Sequence, residues 1–403
     1  MRNKHFCKLN SYTHTIIACL CGSFIQAITL NFAPLLFLTF RSQYGVSLGK
    51  VGFLVTLNFG IQLFIDLIFS KLADRVSQRL SLVLAHVLSA TGLISLAFLP
   101  DIMDNSYAGL VISVVIYAVG GGLLEVTVSP IVEACPTKRK SATMALLHSF
   151  YCWGYVLTVL LSTIFFFVFG IENWKYMSLL WAIIPILNTV YLMFVPMPDQ
   201  EKENSEKMEY KVLFKNKIFW IMIIMMVCAG AAEQGICQWV STFVEAGLGV
   251  SKVIGDLTGP LLFALFMGFS RIFYAKFSDR IDLRRYLFVS VVLCAVSYLC
   301  ISLVPNPIIA LIACSVCGFS CGIFWPGTLS LAAGSIPKGG GMMFALLALG
   351  GDLGCTTGPT IISAISSAFN DNLKRGFLVA ASFPIIMILL LLFSGYKRED
   401  SRL

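Results

Sequence analysis

Apolar runs long enough to form spanning helices, separated by short polar breaks, fill this chain from residue 14 to residue 396. A hydrocarbon core about 30 Å thick takes about 20 mostly apolar residues per helix. Twelve segments meet that length: 14–40, 49–72, 80–99, 107–133, 142–168, 174–196, 216–246, 252–277, 285–303, 307–335, 341–368 and 375–396. In runs this apolar, periodicity does not separate a lipid face from an interior face. Length and the lack of turn clusters favour helix over strand. Of the 403 residues, 58% are hydrophobic and 12% charged, against roughly a quarter charged in soluble domains. A soluble fold of this size has too little interior for that much apolar surface. The sequence predicts an all-α, multi-pass membrane protein with twelve transmembrane helices.

The basic residues give the orientation. With the N-terminus inside, 22 Lys and Arg fall at cytoplasmic ends and six (Arg41, Lys50, Lys175, Lys252, Lys374 and Arg375) at outer ends, while Arg271 lies within a span. That asymmetry predicts cytoplasmic termini and a cell (plasma) membrane location. It also accounts for the net charge of +8 as topology, so no nucleic-acid partner is expected. The basic start Met1–Asn10 leads into an apolar run with no small-residue cleavage site, so no cleavable signal is expected. Residues 197–215 form the longest polar stretch and alternate acid and base, which predicts a cytoplasmic linker between a six-helix bundle over 1–196 and another over 216–403. The 13 cysteines scatter along apolar segments; the tightest group, Cys314, Cys317 and Cys321, lies on one helix face and reads as small packing residues with no metal.

Internal repetition supports the two bundles. Ser70-Lys71-Leu72-Ala73-Asp74-Arg75-Val76-Ser77-Gln78-Arg79 returns, shifted by 205, as Ala275-Lys276-Phe277-Ser278-Asp279-Arg280-Ile281-Asp282-Leu283-Arg284. Ala145-Leu146-Leu147 with Gly154 returns 200 residues later as Ala345-Leu346-Leu347 with Gly354. Gly122 matches Gly322 at the same shift, and Gly22 with Gln26 matches Gly230 with Gln234 at 208. The Asp74-Arg75 and Asp279-Arg280 loops resemble the cytoplasmic signature of the major facilitator superfamily and its echo in the second half. Ser70 and Ser77 stand where glycine is usual, and Gln78 where a base is usual. The resemblance spans the chain and implies a pseudo-symmetric pair of six-helix bundles. It also implies that Asp74, Arg75, Arg79, Asp279 and Arg280 act in gating, as a latch on the cytoplasmic side.

Ionisable groups at membrane depth cost at least about 2.5–3.5 kcal/mol, so each asks for a reason. Glu125 lies mid-span behind Gly120-Gly121-Gly122, where glycines permit close approach, and is the first candidate for carrying a proton. A buried structural acid is the competing reading. Gly122-Leu123-Leu124-Glu125-Val126-Thr127-Val128-Ser129-Pro130 resembles the fourth helix of the fucose permease branch, whose glutamate there is implicated in sugar and proton binding. Ala145 to Gly154 resembles that branch's fifth helix, with His148 where the branch has glutamine. The branch's first-helix aspartate, four residues before a proline, corresponds to Leu30 before Pro34; Asn31 is the nearest polar group and does not titrate.

On the seventh helix Glu233, Gln234, Gln238 and Trp239 offer a second acid, amide donors and acceptors, and a ring for a polyhydroxylated ligand to stack on. Trp325 occupies the place equivalent to Glu125 at a shift of 200. The superfamily lines its cavity with helices one, four, seven and ten, which adds Gln26 as a lining position. Both tryptophans read equally as packing residues. Asn58, Gln62 and Asp66 form a stripe on the second helix, and Asp352 sits in Gly350-Gly351-Asp352-Leu353-Gly354; ligand contact or gating is open for both acids. Arg271 reads as part of the latch in preference to a substrate clamp. His14 and His86, near predicted helix ends, carry no role.

The combined expectation is a secondary transporter, with proton-coupled uptake of a sugar or similar small polar solute by alternating access, acting as a monomer in the lipid bilayer. The substrate-binding set is Gln26, Asn31, Glu125, His148, Glu233, Gln234, Gln238, Trp239, Trp325 and Asp352, with Glu125 and Glu233 in proton coupling. An exporter is the first alternative, although the fifth helix has Gly154 with no following Gly-Pro. A non-transporting sensor is the second. An enzyme is not expected, because no metal spacing, nucleophile–base pair or GxxxxGK loop is present; no cofactor is expected either.

Overall fold

The computed structural model describes residues 11–72, 76–137, 140–198, 210–277, 280–336 and 339–393. Its helices follow the predicted spans closely: α1 (Tyr12–Tyr44), α2 (Leu48–Leu72), α3 (Gln78–Ile102), α4 (Ser106–Ala134), α5 (Lys140–Phe169), α6 (Trp174–Leu192), α7 (Lys217–Gly247), α8 (Lys252–Phe277), α9 (Leu283–Leu303), α10 (Pro307–Ser335), α11 (Gly340–Ala368) and α12 (Leu373–Leu392). Eleven are long and apolar enough to cross a membrane; α11, at 29 residues, is the less apolar one because Gly350, Gly351, Asp352, Thr356 and Thr357 interrupt its aliphatic run.

Several helices change winding, which hydropathy does not register. α1 tightens to a 3₁₀ turn over Ala33–Leu36 around Pro34. α7 ends in a π turn, Phe243–Gly247, and α8 carries another, Leu257–Leu261, at Pro260. α10 breaks between Cys321 and Phe324. A proline lacks the N–H that would bond the carbonyl four residues earlier, so an irregular turn is expected there.

Two compact units emerge from the packing: Met1–Glu203 with Cys237–Gly268, and Asn204–Ile236 with Phe269–Leu403. In the first unit, glycines let helices meet. A Cβ on Gly120 would overlap Ser89 of α3, and one on Gly154 would lie 2.8 Å from Ala27 of α1. In the second unit, a Cβ on Gly354 or Gly358 of α11 would overlap the carbonyl oxygens of Val227 and Ala231 on α7.

The sequence repeat reappears as repeated capping. Ser77 caps α3 by accepting from the Leu80 N–H, and Asp282, its counterpart at a shift of 205, caps α9 by accepting from the Arg285 N–H. Asn105 and Asn306 cap α4 and α10 in the same way. Arg79 donates to the carbonyls of Leu192 (2.5 Å) and Val195 (2.7 Å) at the C-terminal end of α6. Its counterpart Arg284 donates to Leu391 (2.5 Å) at the end of α12. A cation at a helix C-terminus meets carbonyls that have no intrahelical donor and the negative end of the helix dipole.

Candidate functional site

In the first unit the candidate site is built on the face α2 turns toward α4. A Cβ on Gly122 would stand 3.1 Å from the Gln62 Cα, and one on Gly121 would stand 3.5 Å from the Gln62 Nε2 and 3.3 Å from the Thr29 Oγ1 of α1. Side chains one turn further along each helix share a level. Asp66 follows Gln62 by four residues and Glu125 follows Gly121 by four, and their carboxylate oxygens lie within 4.8 Å of one another. Gln62 donates through Nε2 to the Asn58 Oδ1 at 2.9 Å, so the predicted stripe on α2 is a hydrogen-bonded row that ends in an acid. Asp66 is buried and Glu125 half-buried.

The C-terminal part of α7 closes on α1. Gln238 donates to the Leu30 carbonyl at 3.3 Å, the carbonyl that Pro34 leaves without its helical donor. Cys237 donates to the Asn31 Oδ1 at 3.2 Å, while the Asn31 amide donates to the Ala27 carbonyl at 2.9 Å. Asn31 and Gln238 are both buried. Trp239 is fully buried, its ring 5.3 Å from that of Phe37, so its place is a packing one. A narrow pocket between Leu30, Pro34, Asn58, Tyr117 and Gln238 has room for about one water molecule.

Beyond it lies a feature the sequence did not suggest. Lys252, counted among outer-end charges, turns inward and donates to the Leu35 carbonyl of α1, to the Ser241 Oγ of α7 (3.0 Å) and to the Asp256 Oδ1 of α8 (3.0 Å). Ser241 also donates to Asp256 at 2.6 Å. The sequence signal was Lys252 and Asp256 at four-residue spacing at the start of an apolar helix.

The second unit holds Glu233, Gln234, Trp325 and Asp352. Glu233 and Gln234 are buried, and Glu233 Oε2 has no hydrogen-bond partner among the described residues. Arg271 acts electrostatically on Glu233 and donates through Nε to the Gly322 carbonyl at 3.2 Å, at the break in α10. Trp325 lies on Gly351, where any side chain would overlap the ring, so this glycine admits the tryptophan. Trp325 and Asp352 are half-buried.

Of the remaining predicted positions in the first unit, Gln26 is half-buried and His148 exposed. Arg280 is exposed at the start of the turn before α9. Asp74, Arg75 and Asp279 lie outside the described residues. His86, read as near a helix end, sits well inside α3, fully buried, with one ring nitrogen 2.6 Å from the Leu82 carbonyl oxygen and the other 2.7 Å from the Asn188 amide. The helix begins two residues earlier than the hydropathy suggested, because Ser77 caps it.

A sequence model of the Major Facilitator Superfamily matches residues 18–339 and 257–403. No curated protein sequence matches the chain significantly. Among solved structures, a D-xylose-proton symporter superposes with a TM-score of 0.76 at 14% identity, covering 95% of this chain and 97% of that one. The nucleoside transporter NupG gives 0.75 at 12%, covering 94% and 98%. The E. coli fucose:proton symporter gives 0.64 at 14%, covering 96% and 100%. At these identities the likeness concerns the fold.

Proposed function

Because the chain belongs to the major facilitator superfamily, we propose that it is a secondary active transporter that takes up a sugar or similar small polar solute together with protons. It belongs to a superfamily of transporters and not of enzymes. The observation that carries the proton-coupled reading is the approach of the Asp66 and Glu125 carboxylates to within 4.8 Å beside glycines of α4. Two carboxyl groups so placed titrate as a pair: they share a proton while together and release it when the helices that hold them shift. Glu233, with Arg271 acting on it, is the corresponding group of the second unit. Gln26, Gln234, His148, Trp325 and Asp352 are the proposed solute contacts. Asn31, Gln238 and Trp239 support them by holding α1 against α7. A polyhydroxylated solute suits amides and an indole, and two of the similar folds carry sugars.

In this reading the protein works as a monomer by alternating access, with 1–196 and 216–403 as its two halves, 197–215 as their cytoplasmic linker and both termini cytoplasmic in the plasma membrane. The Asp74-Arg75 and Asp279-Arg280 loops act as the latch, and no cofactor takes part. The test uses purified protein in proteoliposomes, with the solute found by a thermal-shift screen, since a ligand stabilises by mass action. Glu125→Gln is expected to abolish accumulation against a gradient while counterflow and melting temperature persist. A folded Glu125→Gln protein that still accumulates the solute removes this pair from the mechanism.

A further inference from the structure

The second unit adds a third thiol, from α9, to two that the sequence already placed on one face of α10. Cys294 of α9 meets Cys317 and Cys321 of α10, with all three sulfurs within 4.8 Å of one another. All three residues are fully buried. The Cys294 Sγ lies 3.7 Å from the Cys317 Sγ, which lies 4.0 Å from the Cys321 Sγ. Cys317 and Cys321 stand one turn apart on one face, and α9 supplies the third corner.

These separations match a coordination geometry. Three sulfurs bound in a plane to one metal at about 2.3 Å stand about 4.0 Å apart. Closing on an ion would move the Cys294–Cys317 and Cys317–Cys321 sulfurs by no more than a few tenths of an ångström. The group is sulfur alone: no histidine nitrogen or carboxylate oxygen among the described residues joins it. Zinc in a closed site takes four ligands in a tetrahedron, whereas thiolates without nitrogen or oxygen donors favour a soft ion such as Cu(I). We propose that Cys294, Cys317 and Cys321 form a three-thiolate site for a soft monovalent ion of the Cu(I) type.

Binding replaces each S–H with a metal–sulfur bond and releases the thiol protons to water, with copper remaining Cu(I) throughout. The place in the fold gives the site a consequence. Cys321 is the last residue before α10 breaks, and the next residue, Gly322, gives its carbonyl to Arg271. An occupied site fastens α9 to α10 at that break. Thiols that only fill space hold no ion, which makes the two readings separable.

The experiment supplies Cu(I) as its bicinchoninate complex, without oxygen, to the purified full-length protein. Wild type is expected to withdraw one more equivalent of copper than Cys317→Ala or Cys294→Ser. Cys300→Ala, which removes a thiol of α9 outside the cluster, is expected to match wild type. X-ray absorption of the copper-loaded wild type should give a shell of three sulfurs at about 2.3 Å. Equal copper uptake by wild type and both cluster variants, or a shell containing nitrogen or oxygen, overturns the site. If neither variant folds, the wild-type spectrum decides alone: three sulfurs support the site, and any other shell or no retained copper refutes it.

Discussion

Lys252→Met is the most demanding test of the packing between α1, α7 and α8. The three donors of the ammonium are spent on the Leu35 carbonyl, Ser241 and Asp256, and the Asp256 Oδ2 also lies 2.9 Å away. The aspartate is 1% exposed and the lysine side chain 15%, so this is a buried pair. At 2.9 Å and an effective dielectric of 20 the gross attraction is about 6 kcal/mol, much of it offset by the desolvation of both groups. Removing only the lysine strands a buried carboxylate, which costs about 3–5 kcal/mol, or two to four factors of ten in the folding equilibrium. An exposed pair would cost under about 1 kcal/mol. Denaturant unfolding in detergent, followed by tryptophan fluorescence, measures the change. Lys252→Met with Asp256→Leu should recover most of the loss, because an apolar replacement of a buried pair is close to neutral. A loss below about 1 kcal/mol for Lys252→Met, or a double variant as unstable as the two single losses added, refutes the reasoning.

Other predictions follow from the caps, the glycines and the topology. Arg79→Ala should destabilise by about 1.5–3 kcal/mol, because two charge-assisted bonds to the end of α6 are lost; unfolding of Arg79→Ala beside Arg284→Ala measures it, and Arg79→Lys should restore only part. Gly354→Ala should fail to reach the folded state at normal yield, since its Cβ overlaps the Val227 carbonyl, whereas Gly60→Ala, with open space around it, should be neutral or gain about 0.4–1 kcal/mol. A cysteine placed at Lys207 in a chain stripped of native cysteines should resist an impermeant maleimide in intact cells; labelling from outside would reverse the proposed orientation.

The number, order and approximate ends of the helices were legible because a bilayer imposes one length on every span. α8 and α10 match the predicted ranges 252–277 and 307–335 to the residue. The repeat was legible as well, yet part of what it encodes was not. Arg79 read as a latch charge, and in the structure it and its repeat counterpart Arg284 each hold the end of a helix more than 100 residues away in sequence. The direction of a long side chain depends on which neighbour presents free carbonyls, and one sequence does not contain that. Nor did the sequence carry any sign that Arg271 bonds to the carbonyl at the break in α10 and acts on Glu233. Asp66 stood out only as the end of a polar stripe. Its approach to Glu125 required knowing that the glycines of α4 face α2 and not another helix.

At Leu30 this chain differs from the branch it resembles, and Pro34 four residues later gives that position a different task. The fucose permease branch, which this chain resembles, carries an aspartate at that place, and this chain has Leu30 followed four residues later by Pro34. Pro34 leaves the Leu30 carbonyl without a helical donor, and at membrane depth no bulk water takes the place of the missing bond. The Gln238 amide of α7 reaches that carbonyl, while Asn31, next in sequence, accepts from Cys237. Two consecutive residues of α1 are thus tied to two consecutive residues of α7, and Lys252 adds a third tie at Leu35. At Leu30 and Asn31 an amide and a thiol, both neutral, make the ties, so an acid at position 30 is not needed to join α1 to α7. One layer away, where α2 meets α4, Asp66 and Glu125 bring two carboxylates together, while the buried Asp256 is paired with Lys252. The proton coupling proposed above therefore draws on the contact between α2 and α4 and not on an acid of α1.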